Sequence, residues 1–383
     1  MVDNVIILAG GSGTRLWPAS IQDRPKQFFD PGTGKSLLQM TVERAGEVAP
    51  RATIVIVTHV SQMERVLDDC LKLGAVRERL VILPEPEMRN TAPALGFAVS
   101  YLVDTGAADE TSLVLASDHL ITPVDAFARD VWKADTLARE GYLVTFGIQP
   151  TRAEIGYGYI EAGDAHGEGR LVSSFREKPD EETARTYVDA GNFFWNSGMF
   201  VFENQVLWNE LARHEPSITE TFGDIDSLPF EQRRVALPVV NREGISIAWK
   251  SGYVDQLYTN LPKISIDYAV MERSDKSAVV ETGFRWNDIG SWDEMAQLTE
   301  DGIVGEAGDN SYTPRDGRPK QPAVQVESEG NYIYSELPVM LCGVEDLNVV
   351  VKNGRVLIAR RGRGQLVKDG VEQLRAGDYE DAT

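Results

Sequence analysis

The sequence predicts an α/β protein: a doubly wound, mostly parallel, Rossmann-like domain followed by a small C-terminal β domain. Three observations lead there. Apolar runs rich in β-branched residues alternate with runs of helical spacing through the first half of the chain. The composition, 42% hydrophobic and 25% charged over 383 residues, suits a globular protein long enough for two domains. Residues 323–383 are patterned as strands, with Asn353-Gly354 between two apolar runs as a hairpin signal.

The elements follow in order. NVIILA reads as a buried strand and SLLQMTVERAGEVA as a helix. ATIVIVT is a strand, QMERVLDDCLKL a helix and RLVILPE a strand. APALGFAVSYLV is a helix, TSLVLAS a strand, DAFARDVWKADTLA a helix and YLVTFGI a strand. Helical crossovers make such strands parallel and cover both faces of the sheet. Ligands then gather beyond the carboxyl ends of the strands. The segment 301–322, rich in Gly, Pro, Asp and Asn, reads as a linker, which gives domains 1–300 and 323–383.

The net charge is −21, from 38 basic and 59 acidic residues. A surface this acidic argues against nucleic acid or an anionic membrane as partner. A polyanionic substrate would need cations gathered at its own site, and a divalent metal with them. Two cysteines, Cys70 and Cys342, give no disulfide framework, so a reducing cytoplasm is expected. The N-terminal MVDNVIILAGG has neither the basic region of a signal peptide nor the length of a membrane span.

Chemistry concentrates first in LAGGSGTRLWP, Leu8 to Pro18. Gly11 and Gly13 begin a dinucleotide fingerprint, but Leu16 stands where its last glycine belongs. GTGKS, Gly32 to Ser36, imitates a P-loop but has Phe29 five residues before Gly34, so a turn ending in a helix cap at Ser36 is preferred. What remains is Gly10, Gly11, Gly13, Arg15, Leu16 and Pro18, with Lys26 after a second proline. Bare backbone amides can approach a phosphate, Arg15 can grip it bidentately, and Lys26 adds a point charge. Spacing alone leaves open a structural turn with two solvated cations.

Other positions carry equal ambiguity. Asp118 ends a strand in Ser117-Asp118-His119, suited to Mg²⁺ or to capping a helix. Ser291 and Glu294 form a capping box that sets Asp288 in the turn before a helix and makes Asp293 first-turn chemistry. Glu177 and Lys178 precede a proline and could be a surface ion pair. Asn90 and Thr91 begin a helix with Pro93 in its first turn, where unpaired amides point outward. The aromatics Phe193, Phe194, Trp195 and Phe200 read mostly as core. No Ser-His-Asp or Cys-His arrangement stands out.

The series LAGGSGTRLWP…RPKQF, EPEMRNTAPAL, ASDHLI, TFGIQPTRAEIGYGYIEAG, FREKPD, GNFFWNSGMFVF, ISIDYAVMERSDKSAVV and WNDIGSWDEM resembles the sugar-nucleotide pyrophosphorylases over nearly the whole chain. The nearer resemblance is to the mannose-1-phosphate guanylyltransferases. It implies transfer of a guanylyl group from GTP to mannose 1-phosphate with Mg²⁺ as cofactor. It implies nucleotide contacts at Ala9, Gly10, Gly11, Gly13, Thr14, Arg15, Asn90 and Thr91, with Arg15 and Lys26 as the catalytic cations. Asp118 and Asp288 would hold the metal, and Gly158, Glu177, Lys178 and Asn196 the sugar phosphate. It also suggests a left-handed β-helix-like C-terminal piece, although no hexapeptide pattern is visible. A different sugar 1-phosphate, or a non-catalytic homologue that binds sugar nucleotide, is the alternative. The latter would be expected to lose charged residues that this chain keeps. A fused isomerase domain is disfavoured, because the segment after the linker is short and has no histidine. Ala116 stands where the family often has Pro, and Arg176 precedes Glu177 where Val is common. Self-association into a homo-oligomer is left open.

Overall fold

A computed structural model describes residues 1–11, 13–304 and 323–377. It contains two compact units. The first takes Met1–Gly10, Thr41–Ser117 and Ile121–Trp286; the second takes Gly11–Met40, Asp118–Leu120 and Asn287–Thr383. The expected seam at residue 300 does not coincide with these divisions, and most of the expected linker, 305–322, lies outside the described residues.

The strands in chain order are β1 (Asn4–Ala9), β2 (Thr53–His59), β3 (Leu80–Glu85), β4 (Thr111–Ala116) and the short β5 (Leu120–Thr122). Then come β6 (Leu143–Ile148), β7 (Tyr159–His166), β8 (Gly169–Arg176), β9 (Phe193–Glu203), β10 (Val239–Arg242), β11 (Ile245–Ala248), β12 (Ser277–Glu281) and the short β13 (Arg285–Asn287). Helices α1 (Leu37–Val48), α2 (Met63–Cys70) and α3 (Thr91–Asp104) link the first four strands, and α4 (Val124–Ala138) precedes β6. Every element of the first-half alternation is present where the periodicity puts it.

In the first unit, among the described residues, eleven strands form one sheet in the order β10-β11-β3-β2-β1-β4-β9-β6-β12-β8-β7. The strands β11, β3, β2, β1 and β4 run parallel, as do β6 and β12. The sheet is nevertheless mixed rather than mostly parallel. The 11-residue β9 lies antiparallel between β4 and β6, and β7, β8 and β10 all pair antiparallel. The physical reason is connection length. Helical crossovers return a strand parallel, whereas the tight β7–β8 and β10–β11 turns reverse it. Strands β1 to β4 are buried almost throughout, as strands covered on both faces must be. Behind them Phe97 stacks on Phe222 at 5.6 Å and meets Tyr258 edge-on at 5.5 Å.

The second unit holds β14 (Ala323–Val326), β15 (Tyr332–Ser335), β16 (Val339–Cys342), β17 (Leu347–Lys352) and β18 (Arg355–Arg360). β14 pairs with β16 and β15 with β17, both parallel, while β17 and β18 form the expected hairpin. Asn353 and Gly354 have φ of 53° and 71°, the positive pair that a type I′ turn requires. A helix, Gln365–Ala376, closes the described chain and corrects the all-β expectation for this piece. Val367 and Val371 are its buried stripe, a helical spacing hidden behind the hairpin signal. The unit's core gathers Leu16, Phe29, Trp292, Met295, Tyr332, Tyr334 and Val350. Its centre is Trp292, 1% exposed, whose indole donates to the Trp17 carbonyl at 2.9 Å and whose ring lies 5.1 Å from Tyr334. Residues from the glycine stretch and from the C-terminal β piece thus share one core.

Candidate active site

The second unit collects the cations and carboxylates of three distant motifs. Lys26 opens a short 3₁₀ turn, Lys26–Phe28, and is only 6% exposed. Its ammonium lies 2.7 Å from Asp118 Oδ2 and also donates to the backbone carbonyl of Asp288. Burial alone would raise the Asp118 carboxyl, but Lys26 and His119 outweigh it and hold the carboxyl below the usual range. Arg15, in the turn Thr14–Leu16, is exposed. It reaches the same neighbourhood: a Cβ on Gly290 would sit 3.5 Å from Arg15 Nη1 and 3.4 Å from Asp288 Oδ2.

Local sequence explains this arrangement. Gly13 has φ of 53°, and a Cβ there would overlap the Lys26 Cβ and stand 3.2 Å from its Cδ. That glycine is required because the lysine stem packs on bare backbone. At Gly10 or Gly11 a Cβ would meet nothing within 4 Å, so their backbone faces open space. The P-loop look-alike is excluded by its own chemistry. Asp30 Oδ1 accepts from the amides of Gly32, Thr33 and Gly34 at 2.8, 2.8 and 3.1 Å, so those donors are taken. Ser36 and Gln39 then cap α1 reciprocally, each amide to the other's side chain at 3.0 Å.

At WNDIGSW the Ser291 hydroxyl accepts from the Glu294 amide at 3.3 Å, as the capping box predicts, but the Glu294 carboxylate takes the amide of Gly290. Asp293 does more than cap. Its Oδ1 accepts from Asn348 Nδ2 at 2.8 Å and Gly362 N at 2.9 Å, tying the helix to the β piece. Among the described residues no group of three or more His, Cys, Asp or Glu gathers as a metal cage. Asp118 and Asp288 supply two hard oxygen donors. Mg²⁺ binds through that few when substrate phosphates complete its shell, so the donor set fits.

The first unit holds the other residues. Ala9 ends β1, its carbonyl accepting from Thr58 Oγ1 at 3.0 Å. Asn90 is the N-cap of α3, with φ of 71°, and its side chain accepts from the Thr91 amide at 2.8 Å. Thr91 Oγ1 accepts from the amide of Ile266 at 2.9 Å. Gly158, Glu177 and Asn196 come together, while Lys178 is joined through Glu177. A Cβ on Gly158 would collide with Glu177 Oε2 and stand 3.4 Å from Asn196 Cβ. Lys178, at φ of 48° and largely exposed, pairs with Glu177 Oε1 at 2.7 Å. That hydrogen bond is the main reason its ammonium is held above the ordinary lysine range. Phe194, Trp195 and Phe200 are buried, and Phe193 stacks on Tyr187 at 4.1 Å, as a core reading expects.

Sequence reasoning missed Asp267. It begins a π-helical turn, Asp267–Met271, and its Oδ1 accepts from Asn196 Nδ2 at 2.9 Å. Burial, then the Glu177 charge, pushes its carboxyl up to about 6. The available signal was an acid among the apolar residues of ISIDYAVM. Glu85, at the end of β3, was also missed. It is 5% exposed, accepts from the Tyr258 hydroxyl at 3.0 Å, and burial pushes it up to about 7. Among the described residues no helix is long and apolar enough to cross a membrane.

The profile of the Nucleotidyl transferase family matches residues 4–302. The Xanthan biosynthesis protein XanB of Xanthomonas campestris pv. campestris (strain B100) is 36% identical over 386 residues, spanning 99% of this chain and 74% of that protein. The Mannose-1-phosphate guanylyltransferase of Escherichia coli (strain K12) is 35% identical over 379 residues, spanning 97% and 73%. A crystal structure from Thermus thermophilus, described as a mannose-1-phosphate geranyltransferase, superposes with a TM-score of 0.80 at 29% identity, over 98% of this chain and 100% of that one. With most of its length matched by the family profile, the chain belongs to the nucleotidyl transferase family.

Proposed function

We propose that the protein is a mannose-1-phosphate guanylyltransferase, which makes GDP-mannose and pyrophosphate from GTP and mannose 1-phosphate. The observation that carries this reading is the buried Lys26 ammonium, held between Asp118 and the Asp288 carbonyl, with Arg15 and the Asp288 carboxylate both beside Gly290. A phosphate oxygen of mannose 1-phosphate bonds to the α-phosphorus of GTP, the bond from that phosphorus to the α,β-bridging oxygen breaks, and pyrophosphate leaves with the electron pair. The attacking oxygen is already an anion, so no protein nucleophile or general base is needed.

The residues of this chain position and neutralise. The bare backbone at Gly10, Gly11 and Gly13, with Thr14, takes the triphosphate beyond Ala9, and Arg15 grips the leaving pyrophosphate. Lys26 lies where negative charge grows. Asp118 and Asp288 would hold Mg²⁺, which supplies charge neutralisation on the phosphates when bound. Asn90 and Thr91 serve the guanine. Gly158, Glu177, Lys178 and Asn196 take the sugar phosphate: Lys178 its phosphate, Glu177 and Asn196 its hydroxyls. We further read the parallel pairs β14–β16 and β15–β17 as successive rungs of a β-helix-like coil.

The test is pyrophosphate release with a panel of four nucleoside triphosphates and several sugar 1-phosphates. GTP with mannose 1-phosphate is expected to have the highest kcat/KM. Faster turnover of dTTP with glucose 1-phosphate would refute the substrate assignment. Absence of turnover with any pair, alongside tight binding of a sugar nucleotide, would favour a regulatory homologue.

A further inference from the structure

Asn196 is oriented by its neighbours within the sugar-phosphate set. Its Oδ1 accepts from the Gly198 amide at 3.0 Å; Thr145 Oγ1, 3.4 Å from that oxygen, has a single proton and lies closer, at 3.1 Å, to the Met199 carbonyl. Its Nδ2 donates to Asp267 Oδ1 at 2.9 Å. These two bonds fix the orientation of the amide, leave its second N–H for a sugar hydroxyl, and hold the Asp267 carboxylate in place. The backbone on the other side is equally fixed. Ile264 donates to the Arg89 carbonyl and accepts from the Ala92 amide, both at 3.2 Å, and Ile266 donates to Thr91 Oγ1 at 2.9 Å. Asp267 therefore stands on a segment pinned to the start of α3, at the mouth of a π-helical turn, a deformation frequent at functional sites.

The charges around it are unbalanced. The ionisable groups that face it are Glu177 and Lys178 at the end of β8, and Tyr268, next in its own turn, acts on Lys178. Two carboxylates share one ammonium, and that ammonium is already bound to Glu177 Oε1. Glu177 Oε2 lies over the bare backbone of Gly158. The pair of acids repel, and burial sharpens the repulsion. A ligand that brings hydroxyl donors relieves it, since each carboxylate then accepts a hydrogen bond in its charged form.

We propose that Asp267 is a second sugar-reading carboxylate, accepting a hydrogen bond from one hydroxyl of the sugar 1-phosphate while Glu177 accepts from another, and that it selects which sugars bind. This rests on the reading of Glu177, Lys178 and Asn196 as the sugar-phosphate set. Asp267→Asn keeps the shape and the bond from Asn196 but turns an NH₂ donor toward the hydroxyl. A lost hydrogen bond to a charged group predicts a rise of about tenfold to a hundredfold in KM for the sugar 1-phosphate, with KM for GTP within about twofold.

The decisive experiment is steady-state kinetics and calorimetry with mannose 1-phosphate and its monodeoxy analogues on wild type and Asp267→Asn. One analogue should bind wild type about as poorly as the parent sugar binds the variant, and removing that hydroxyl should cost the variant nothing further. In wild type, the ratio of KM for that analogue to KM for the parent should rise as pH rises through about 6, the phosphate's own ionisation being common to both sugars, and the ratio should be flat in the variant. An unchanged KM in the variant, or the same penalty from every analogue in both proteins, overturns the proposal. If the variant misfolds, the wild-type ratio decides: a ratio flat across pH for every analogue is the refuting result. Should wild type prefer another sugar 1-phosphate, the substrate assignment falls and the same comparison runs on that sugar. Binding of no sugar 1-phosphate at all overturns both.

Discussion

Gly13→Ala is the substitution that most directly tests how the site is built. The residue sits at φ of 53°, and an added Cβ would overlap the Lys26 Cβ and press on its Cδ at 3.2 Å. The backbone term is about 1–2 kcal/mol for an L-residue in the left-handed region. For a protein of this size that is a fall of only a few degrees in melting temperature. The clash acts elsewhere. Lys26 is 6% exposed, so its stem cannot swing into solvent, and relief must come by moving the ammonium off Asp118 Oδ2, now 2.7 Å away. Displacing one preorganised cation lowers kcat by about a hundredfold to a thousandfold. The assay is pyrophosphate release at saturating GTP and sugar phosphate, beside thermal unfolding. Gly11→Ala is the partner measurement: a Cβ there meets nothing within 4 Å, so it should melt like wild type and show its effect as a raised KM for GTP. A Gly13→Ala protein that turns over within threefold of wild type would refute the claim that this glycine exists to seat the lysine.

Asp118→Asn and Asp288→Asn should each nearly abolish turnover while leaving the fold intact by circular dichroism; activity within a few-fold of wild type at saturating Mg²⁺ would remove that residue from the metal set. Lys26→Ala should lower kcat by about a hundredfold or more and weaken GTP binding little, whereas Arg15→Lys should impair both, because a point charge does not replace a bidentate contact; calorimetry with GTP separates the two. Glu85, with its folded value raised above the unfolded one, contributes stability that is complete below about 4.5 and lost as pH rises through about 7. Glu85→Gln escapes that loss, so denaturant titrations from pH 5 to pH 8 should favour the variant progressively, by up to roughly 3 kcal/mol at 1.36 kcal/mol per pH unit; parallel curves would show that Glu85 does not titrate in the native protein.

The first-half elements were legible because periodicity is a local property: β1 to β4 and α1 to α4 each declare themselves within a dozen or so residues. The insertion of β9 between β4 and β6 was not, because strand order depends on partners far along the chain. The helix Gln365–Ala376 escaped for a different reason, since its narrow apolar stripe follows a strong hairpin signal. At the site, motif order singled out Lys26, Asp118 and Asp288, and the structure joins them. Motif order could not say that Gly13 makes room for a lysine, or that Asp30 fills the P-loop look-alike. Nor could it show Asp267, whose meaning lies in its distance to Asn196 and not in its spacing.

The core around Trp292 has a consequence for how the protein is made. Lys26 leaves the ribosome 262 residues ahead of the carbonyl that binds it, and Phe29 still longer ahead of Tyr334, the ring it packs against. During that interval the nascent chain carries the glycine stretch without a place to settle. Nearly all the pairing partners of the large sheet have by then emerged. Ordered folding on the ribosome should therefore run sheet first, with the cation loop waiting for the C-terminal strands. A product released early, near residue 300, would display an unfinished apolar patch at Trp292. Such a fragment is a natural substrate for chaperones and proteases, so late chain termination would leave no stable, half-competent enzyme behind.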